Sequence, residues 1–343
     1  MSLVDLEGTA GPASAGTGPA GGAPRPVNLP SRLRSAVDVR RGGIVIPFVV
    51  LFVVLSATSG PFFTKVNLLN ILDQQASTLI PAAAGTLVLV AGGLDLSVGA
   101  VYALAGVTAA HLALFTNPAL ACAVGVLVGL SIGLVNGFVA TVLRINALIA
   151  TLAMSYVVSS ISGLATGGNI ITDFNRPGFA DLARSSFLTV HTSTWVTLLV
   201  VVAIGFLLSR TTIGRYMYAA GGNAQAARLA GVRVYQVRIL AFALSGAAAA
   251  LGGVIDASRV LSAQSSSGST LAFTVLAGIV VGGTSILGGV GTVWRSVIGV
   301  LFIALVGNGF DLLGLDPLYE QLVLGALLIM AVGLDAWTRM YRA

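Results

Sequence analysis

Between Arg210 and Arg238 the chain carries five arginines (210, 215, 228, 233 and 238) and no acid, with long apolar runs on both sides. Hydrocarbon offers nothing to a guanidinium, so such a segment has to leave the bilayer, and basic connections stay on the cytoplasmic side. This break makes the flanking runs membrane spans and puts 210–238 inside. A structured, basic, alanine-rich piece held there is suited to touching a soluble partner.

Composition supports the membrane assignment. The chain has 343 residues, 56% hydrophobic and only 9% charged, with a mean hydropathy of +0.96; soluble domains carry about 25% charged residues. Its 43 glycines fit closely packed membrane helices. A net charge of +6 raises nucleic-acid binding, but the arginines flank spans, so the charge is read as topology and no nucleic-acid partner is expected. Cys122 stands alone in an apolar run, which leaves neither a disulfide framework nor a metal cluster. Residues 1–30 are rich in Gly, Ala and Pro without apolar periodicity. A disordered cytoplasmic tail is expected over 1–41, followed by a membrane domain over 42–343. No cleavable signal is expected, because Arg32, Arg34, Arg40 and Arg41 precede an apolar run that further spans follow.

A crossing helix needs roughly 20 mainly apolar residues. The chain offers ten candidates: 43–59, 76–94, 97–116, 119–142, 146–166, 194–209, 237–256, 271–288, 293–311 and 319–337. The expected fold is therefore all-α and polytopic, with about ten transmembrane helices. With the N-terminus inside, 14 of the 18 basic residues fall on the cytoplasmic side, leaving Lys65, Arg176, Arg184 and Arg259 outside. That asymmetry places both termini in the cytoplasm, whereas an odd count would expose a terminal arginine cluster. Trp195, Trp294 and Trp337 fall near span ends, as interfacial aromatics do. The longest external stretch, 167–193, includes Asp173, Asn175, Arg176, Asp181, Arg184 and His191, and reads as solvated connection or docking surface.

Several motifs stand out. Gly125, Gly129, Gly133 and Gly137 recur every fourth residue, which puts them on one helix face for close packing. Asp95, in AGGLDLSVG (91–99), sits between two apolar runs. It must cap a helix, pair or face water, so it is either a cap for the helix opening near Ser97 or part of a transport path. No second acid or base lies near it in sequence, and no catalytic residue is expected. The glycine-rich stretch 282–292 lacks GxxxxGK[ST], and the chain's one lysine is Lys65. A Walker-type ATPase is thereby excluded for this polypeptide, no cofactor is expected, and the stretch reads as a tight, flexible cytoplasmic turn. Asn223 is a good N-cap for 224–230, and Gly231 a good terminator. That short helix, apolar at Ala226, Leu229 and Ala230, suits either a partner's groove or the lipid surface.

Four segments together resemble the permease subunits of bacterial ATP-binding-cassette sugar importers of the ribose/xylose/arabinose type: GGLDLSVGAVYALAG (92–106), INALIATLAMSY (145–156), TIGRYMYAAGGNAQAARLAGV (212–232) and VVGGTSILGGVGTVWRSVIG (280–299). The resemblance runs from about 44 to 335. It implies a multi-pass protein of the bacterial inner membrane with the importer permease fold. Two permease chains, as a homodimer or with a different second permease, would form the pathway, with cytoplasmic ATP-binding subunits and a periplasmic sugar-binding protein as partners. It assigns 214–231 to the coupling helix in the ATPase groove, with Gly214, Arg215, Gly221, Asn223, Ala226, Ala227, Arg228 and Gly231 matching the motif. Sugar hydroxyls suit a pathway lined by Asn, Ser and Thr, for which Asp95, Ser97, Asn136, Asn146, Thr151 and Ser155 are the candidates. Thr151 and Ser155 can equally bond back to their own helix. One departure is SGSTLAF (267–273), where such permeases often carry an acidic stretch.

Competing readings are an ion-coupled secondary transporter, a membrane scaffold without transport, and the related branch for branched-chain amino acids or nucleosides. Ion-coupled carriers bury ionisable residues mid-span. Here Asp95 lies at a break, and Asp256, Asp311 and Asp335 lie at span ends.

Overall fold

A computed structural model describes residues 43–172 and 177–340. The expected tail over 1–41, Asp173, Asn175 and Arg176, Arg342, and the side chains of Asp335, Trp337 and Arg339 lie outside the described residues.

Thirteen helices and one short hairpin follow in order among the described residues: α1 (Val45–Thr58), α2 (Lys65–Val90), α3 (Val98–Ala113), α4 (Pro118–Thr141), α5 (Ala147–Thr166), α6 (Pro177–Arg184), β1 (Ser186–Phe187), β2 (Val190–His191), α7 (Thr192–Arg210), α8 (Thr212–Gly222), α9 (Ala224–Leu229), α10 (Val234–Val260), α11 (Leu271–Val281), α12 (Val293–Leu312) and α13 (Pro317–Met340). The ten apolar stretches each coincide with one helix: α1 to α5, α7, and α10 to α13. Five of these, α4, α5, α7, α10 and α12, are long and apolar enough to cross a membrane. Four further apolar helical segments, including 318–333 of α13, are shorter.

Two predicted spans need correction. The second, expected from 76, begins at Lys65, where the Thr64 hydroxyl accepts the Asn67 N–H at 3.3 Å. Asn67, Asn70, Asp73, Gln74 and Gln75 end the apolar signal without ending the helix, and burial becomes continuous only from Ala76. The eighth, expected over 271–288, stops as a helix at Val281. Beyond it, Gly283, Gly288 and Gly289 take positive φ in an irregular loop. The small elements between α5 and α7 were not anticipated: α6, and the hairpin pairing Ser186 with His191 and Phe187 with Val190.

α10 is the central pillar and packs along α4, α3 and α2. The buried residues of α4 are Ala121, Gly125, Gly129, Gly133 and Gly137, a stripe four residues apart, with Asn136 beside it. Each of its glycines abuts another helix: Gly125 meets Ala105 of α3 and Val254, Gly129 meets Gly246 and Ala250, Gly133 meets Phe242 and Ala243, and Gly137 meets Ile239. Lipid tails are as apolar as leucine, so membrane helices associate through close van der Waals contact rather than by escaping water. Glycine removes the side chain that would keep the two backbones apart.

The connections gather at two ends. At one, Arg238 Nε donates to the Ala91 carbonyl at 2.9 Å, and the Gly289 N–H donates to Val90 at 2.9 Å. The Tyr218 hydroxyl there donates to Gly291 at 2.7 Å. At the other end Asn67 and Asn308 exchange two hydrogen bonds of 3.1 and 3.0 Å. Ile171 bridges to Ala263, Arg184 Nε donates to the Arg259 carbonyl at 2.8 Å, and Arg259 pairs with Asp256 at 2.9 Å.

A β-carbon on Gly133 would collide with the carbonyl oxygen of Phe242, whereas one on Gly163 of α5 would meet nothing within 4 Å. Gly133→Ala is expected to cost about 1–3 kcal/mol through overpacking, with Gly163→Ala within about 0.5 kcal/mol of wild type. Thermal unfolding of the purified proteins in detergent checks both.

Candidate functional site

The 210–238 segment folds into two helices rather than the single one expected over 214–231. The Thr211 hydroxyl caps α8 by accepting the Gly214 N–H at 3.2 Å. α8 ends at Gly221-Gly222, weak helix formers, and Asn223 turns the corner in extended geometry. Its Oδ1 accepts the N–H groups of Gln225 and Ala226 at 3.0 and 2.9 Å, capping α9. Gly231, at φ 84°, supplies the left-handed terminator, and the Val232 N–H returns to Ala227 at 3.0 Å. The cap and stop expected from the sequence are those observed.

The eight motif residues of this segment fall into three groups. Gly214, Gly221 and Ala227 face inward: Gly214 lies on the Leu207 and Leu208 carbonyls, Gly221 on the Val90 carbonyl and Gly289 N–H, and Ala227 is buried. Asn223 and Gly231 shape the ends of α9. Arg215, Ala226 and Arg228 are exposed, and beside them Leu229 is 86% exposed. A short rigid helix, anchored on one side, thus presents an apolar side chain between arginines. The Leu229 signal lay in the sequence as one apolar position in a polar, alanine-rich stretch.

A second constellation forms at the break between α2 and α3. Asp95 is not the N-cap of α3; Ser97 holds that position. Asp95 Oδ1 accepts the Ser97 N–H at 3.0 Å and the Ser97 hydroxyl at 2.7 Å, and its Oδ2 accepts the Ser245 hydroxyl of α10 at 2.9 Å. The Ser97 oxygen in turn accepts from Asn136 Nδ2 of α4 at 2.7 Å. Thr151 of α5 accepts the Leu96 N–H at 3.1 Å and donates to its own helix at Ala147, 2.9 Å away. Ser97, Asn136, Thr151 and Ser245 are buried. Four candidates, Asp95, Ser97, Asn136 and Thr151, therefore belong to one network joining α3, α4, α5 and α10. Ser155, one turn beyond Thr151, lines a cavity. Asn146 stands apart, exposed, capping α5 by accepting the Leu148 N–H at 2.9 Å. Ser245 escaped sequence reading because it lies in an Ala/Gly-rich run, and only the fold brings it to Asp95.

The 282–292 loop lies against the same break. Thr284 and Ser285 are buried, and the Thr86, Ser296 and Thr284 hydroxyls form a chain of 2.9 and 3.2 Å contacts. The turn expected to be flexible is fastened on both sides.

Hydrogen bonds to carboxylates contribute about 1.5–3 kcal/mol, so Ser245→Ala is expected to destabilise by about that amount. Ser131 bonds only to its own helix at Leu127, on an exposed face, and Ser131→Ala should shift stability by under about 0.5 kcal/mol. Chemical or thermal unfolding of the two variants side by side measures the difference.

Residues 67–332 match the family described as branched-chain amino acid transport system / permease component. The ribose import permease protein RbsC of Escherichia coli K12 is 36% identical over 295 residues, which cover 85% of this chain and 92% of that one. The L-arabinose ABC transporter permease protein AraH of Azospirillum brasilense is 37% identical over 318 residues, 91% of this chain and 93% of its own. The L-arabinose transport system permease protein AraH of Escherichia coli K12 is 35% identical, over 86% of this chain and 90% of its own. No solved structure matches the chain. With a match over most of its length and several long spans, this multi-pass membrane protein belongs to the family of branched-chain amino acid transport system permease components.

Proposed function

We propose that the chain is the permease subunit of an ATP-binding-cassette importer that carries a monosaccharide or related polyol across the bacterial inner membrane. The carrying observation is the similarity to permeases named for ribose and arabinose over 85–91% of the chain. The family description points to branched-chain amino acids, and the sugar-named relatives favour the sugar branch. In this reading ten helices thread the membrane with both termini cytoplasmic, behind a cytoplasmic tail over 1–41. The basic residues support that direction. A cytoplasmic ATP-binding subunit, a periplasmic sugar-binding protein and a second copy of this permease complete the importer.

The mechanism follows from what α8 and α9 touch. ATP-driven closure of the partner subunits moves α9 through its exposed face at Ala226, Arg228 and Leu229. α8 carries the displacement inward, because Gly221 lies directly on the Val90 carbonyl and the Gly289 N–H. Val90 is the last residue of α2, and the break that follows leads to Asp95 and its partners on three further helices. A push at the inner surface thereby reaches the polar network within the bundle.

Leu229→Asp places an acid on the proposed docking face without touching a core contact. It should lower sugar uptake at least about tenfold, the effect of roughly 1.4 kcal/mol of lost docking, and release the ATP-binding subunit during purification. The amount of permease in the membrane should stay unchanged. Full uptake with the ATPase still bound would remove α9 from coupling. Ion-coupled transport is tested separately: uptake should persist under a protonophore while cellular ATP is maintained, and collapse with ATP present would favour a secondary carrier.

A further inference from the structure

α11 has 11 residues and α3 has 16, about 16 and 24 Å at 1.5 Å per residue, both short of the roughly 30 Å hydrocarbon core. α11 ends at Val281, and its C-cap Gly282 packs against Arg295 and Ser296 in the first turn of α12. Its first residue, Leu271, thus lies about half a membrane from that end. α3 starts beside Asp95, which is tied to Ser245, 11 residues along α10 from Val234 and again about 16 Å in. The two starts meet, since a β-carbon on Gly99 or Gly268 would collide with the other's carbonyl oxygen. The irregular segment 261–270 therefore descends to mid-depth. Irregular backbone at that depth is tolerated only where protein buries it or where it lines a watery space.

Here it lines a half-open cavity of about 350 Å³, in which Ser159, Ser266, Ser269 and Phe273 are exposed. Five serine hydroxyls reach it: Ser155 and Ser159 from α5, and Ser265, Ser266 and Ser269 from the descending segment. None of the five hydroxyls has a hydrogen-bond partner among the described residues. Thr108, Ser131 and Ser209, by contrast, each donate to the carbonyl four residues back at 2.7, 2.8 and 2.6 Å. Phe273 adds an aromatic wall, and no charged side chain lines the space. Its volume lies at the small end of the ~300–1,000 Å³ typical of small-molecule sites.

We infer that this cavity is a substrate waypoint inside the membrane, built for an uncharged polyhydroxyl molecule of monosaccharide size; the inference rests on the sugar-importer reading above. Each serine can donate and accept one hydrogen bond, which is what a sugar hydroxyl needs on every side. An aromatic face suits the C–H surface of a pyranose or furanose ring. A zwitterionic amino acid would find no counter-charge there, and desolvating its two charges unpaired is unfavourable. Leu96 links the waypoint to the break between α2 and α3: it lines the cavity, and its N–H is held by Thr151. Motion of the break thus reshapes the chamber.

The test uses the complete importer in cells, with radiolabelled D-ribose, L-arabinose and L-leucine as probes. Ser159→Trp fills the cavity and should cut sugar uptake more than about tenfold, the loss of one or more good hydrogen bonds plus occluded volume. Val157→Trp, exposed on the same helix and outside the cavity, should leave uptake within about twofold. In a second arm, Ser266→Cys in a Cys122→Ala background is labelled with a bulky maleimide in the assembled importer. Labelling should block uptake, and ribose or arabinose, as the transported sugar, should slow it. Full sugar uptake in Ser159→Trp, or labelling of Ser266→Cys without effect on uptake, overturns the waypoint while leaving the importer reading intact. Wild-type uptake of leucine and of neither sugar overturns both.

Discussion

The contact on which the rest of the architecture depends is the near-touching of two backbones, α4 against α10. Along α4 only small or amide residues face inward, and Gly129, Gly133 and Gly137 sit on backbone or β-carbon atoms of Ile239, Phe242, Ala243, Gly246 and Ala250. Within a bilayer no water is available to drive helices together, so binding comes from dispersion at short range. That proximity is also what makes the polar chemistry possible. Asn136 reaches Ser97, and Ser245 reaches Asp95, because the helices carrying them are close enough for short side chains to span the gap. A bulkier α4 face would separate the elements and leave a carboxylate without its donors.

From this packing a continuous physical route runs through the molecule. At one end an exposed leucine and two arginines stand on α8 and α9. In the middle, Gly221, Val90 and Gly289 meet backbone to backbone with no side chain to absorb displacement. Beyond them residues 93–97 lie outside any helix and are fixed by side chains from α4, α5 and α10. Rigid contacts feeding a non-helical hinge are a suitable arrangement for converting a push into a change of shape. The proposed serine chamber lies at the far side of that hinge, sharing Leu96 with it.

Much of this was legible before any coordinates. Apolar runs located ten of the described helices, five of them long and apolar enough to cross a membrane, because hydropathy reports what a bilayer will accept. The cap at Asn223 and the stop at Gly231 were legible because both act through local backbone chemistry. What remained hidden was long-range or depended on depth. The polar first third of α2 gave no apolar signal although its residues are compatible with helix. The early end of α11 was masked because Ile286, Leu287 and Val290 keep a loop looking like a span. Ser245 is an ordinary helix serine until the fold brings it 2.9 Å from Asp95. The SGSTLAF stretch (267–273) stood out only as the loss of an acid, and that its Ser269 lines a cavity becomes visible only when the starts of two short helices meet. Asn146, chosen for its amide, proved to be a cap.

The central claim is that α8 and α9 form a lever on the inner surface, and sidedness tests it most directly. A single cysteine at Leu229, in a Cys122→Ala background, would be exposed to a membrane-impermeant maleimide in intact spheroplasts and in inside-out vesicles. The account predicts labelling in the vesicles and none in the spheroplasts. Labelling in spheroplasts would place the lever on the outer face and contradict it.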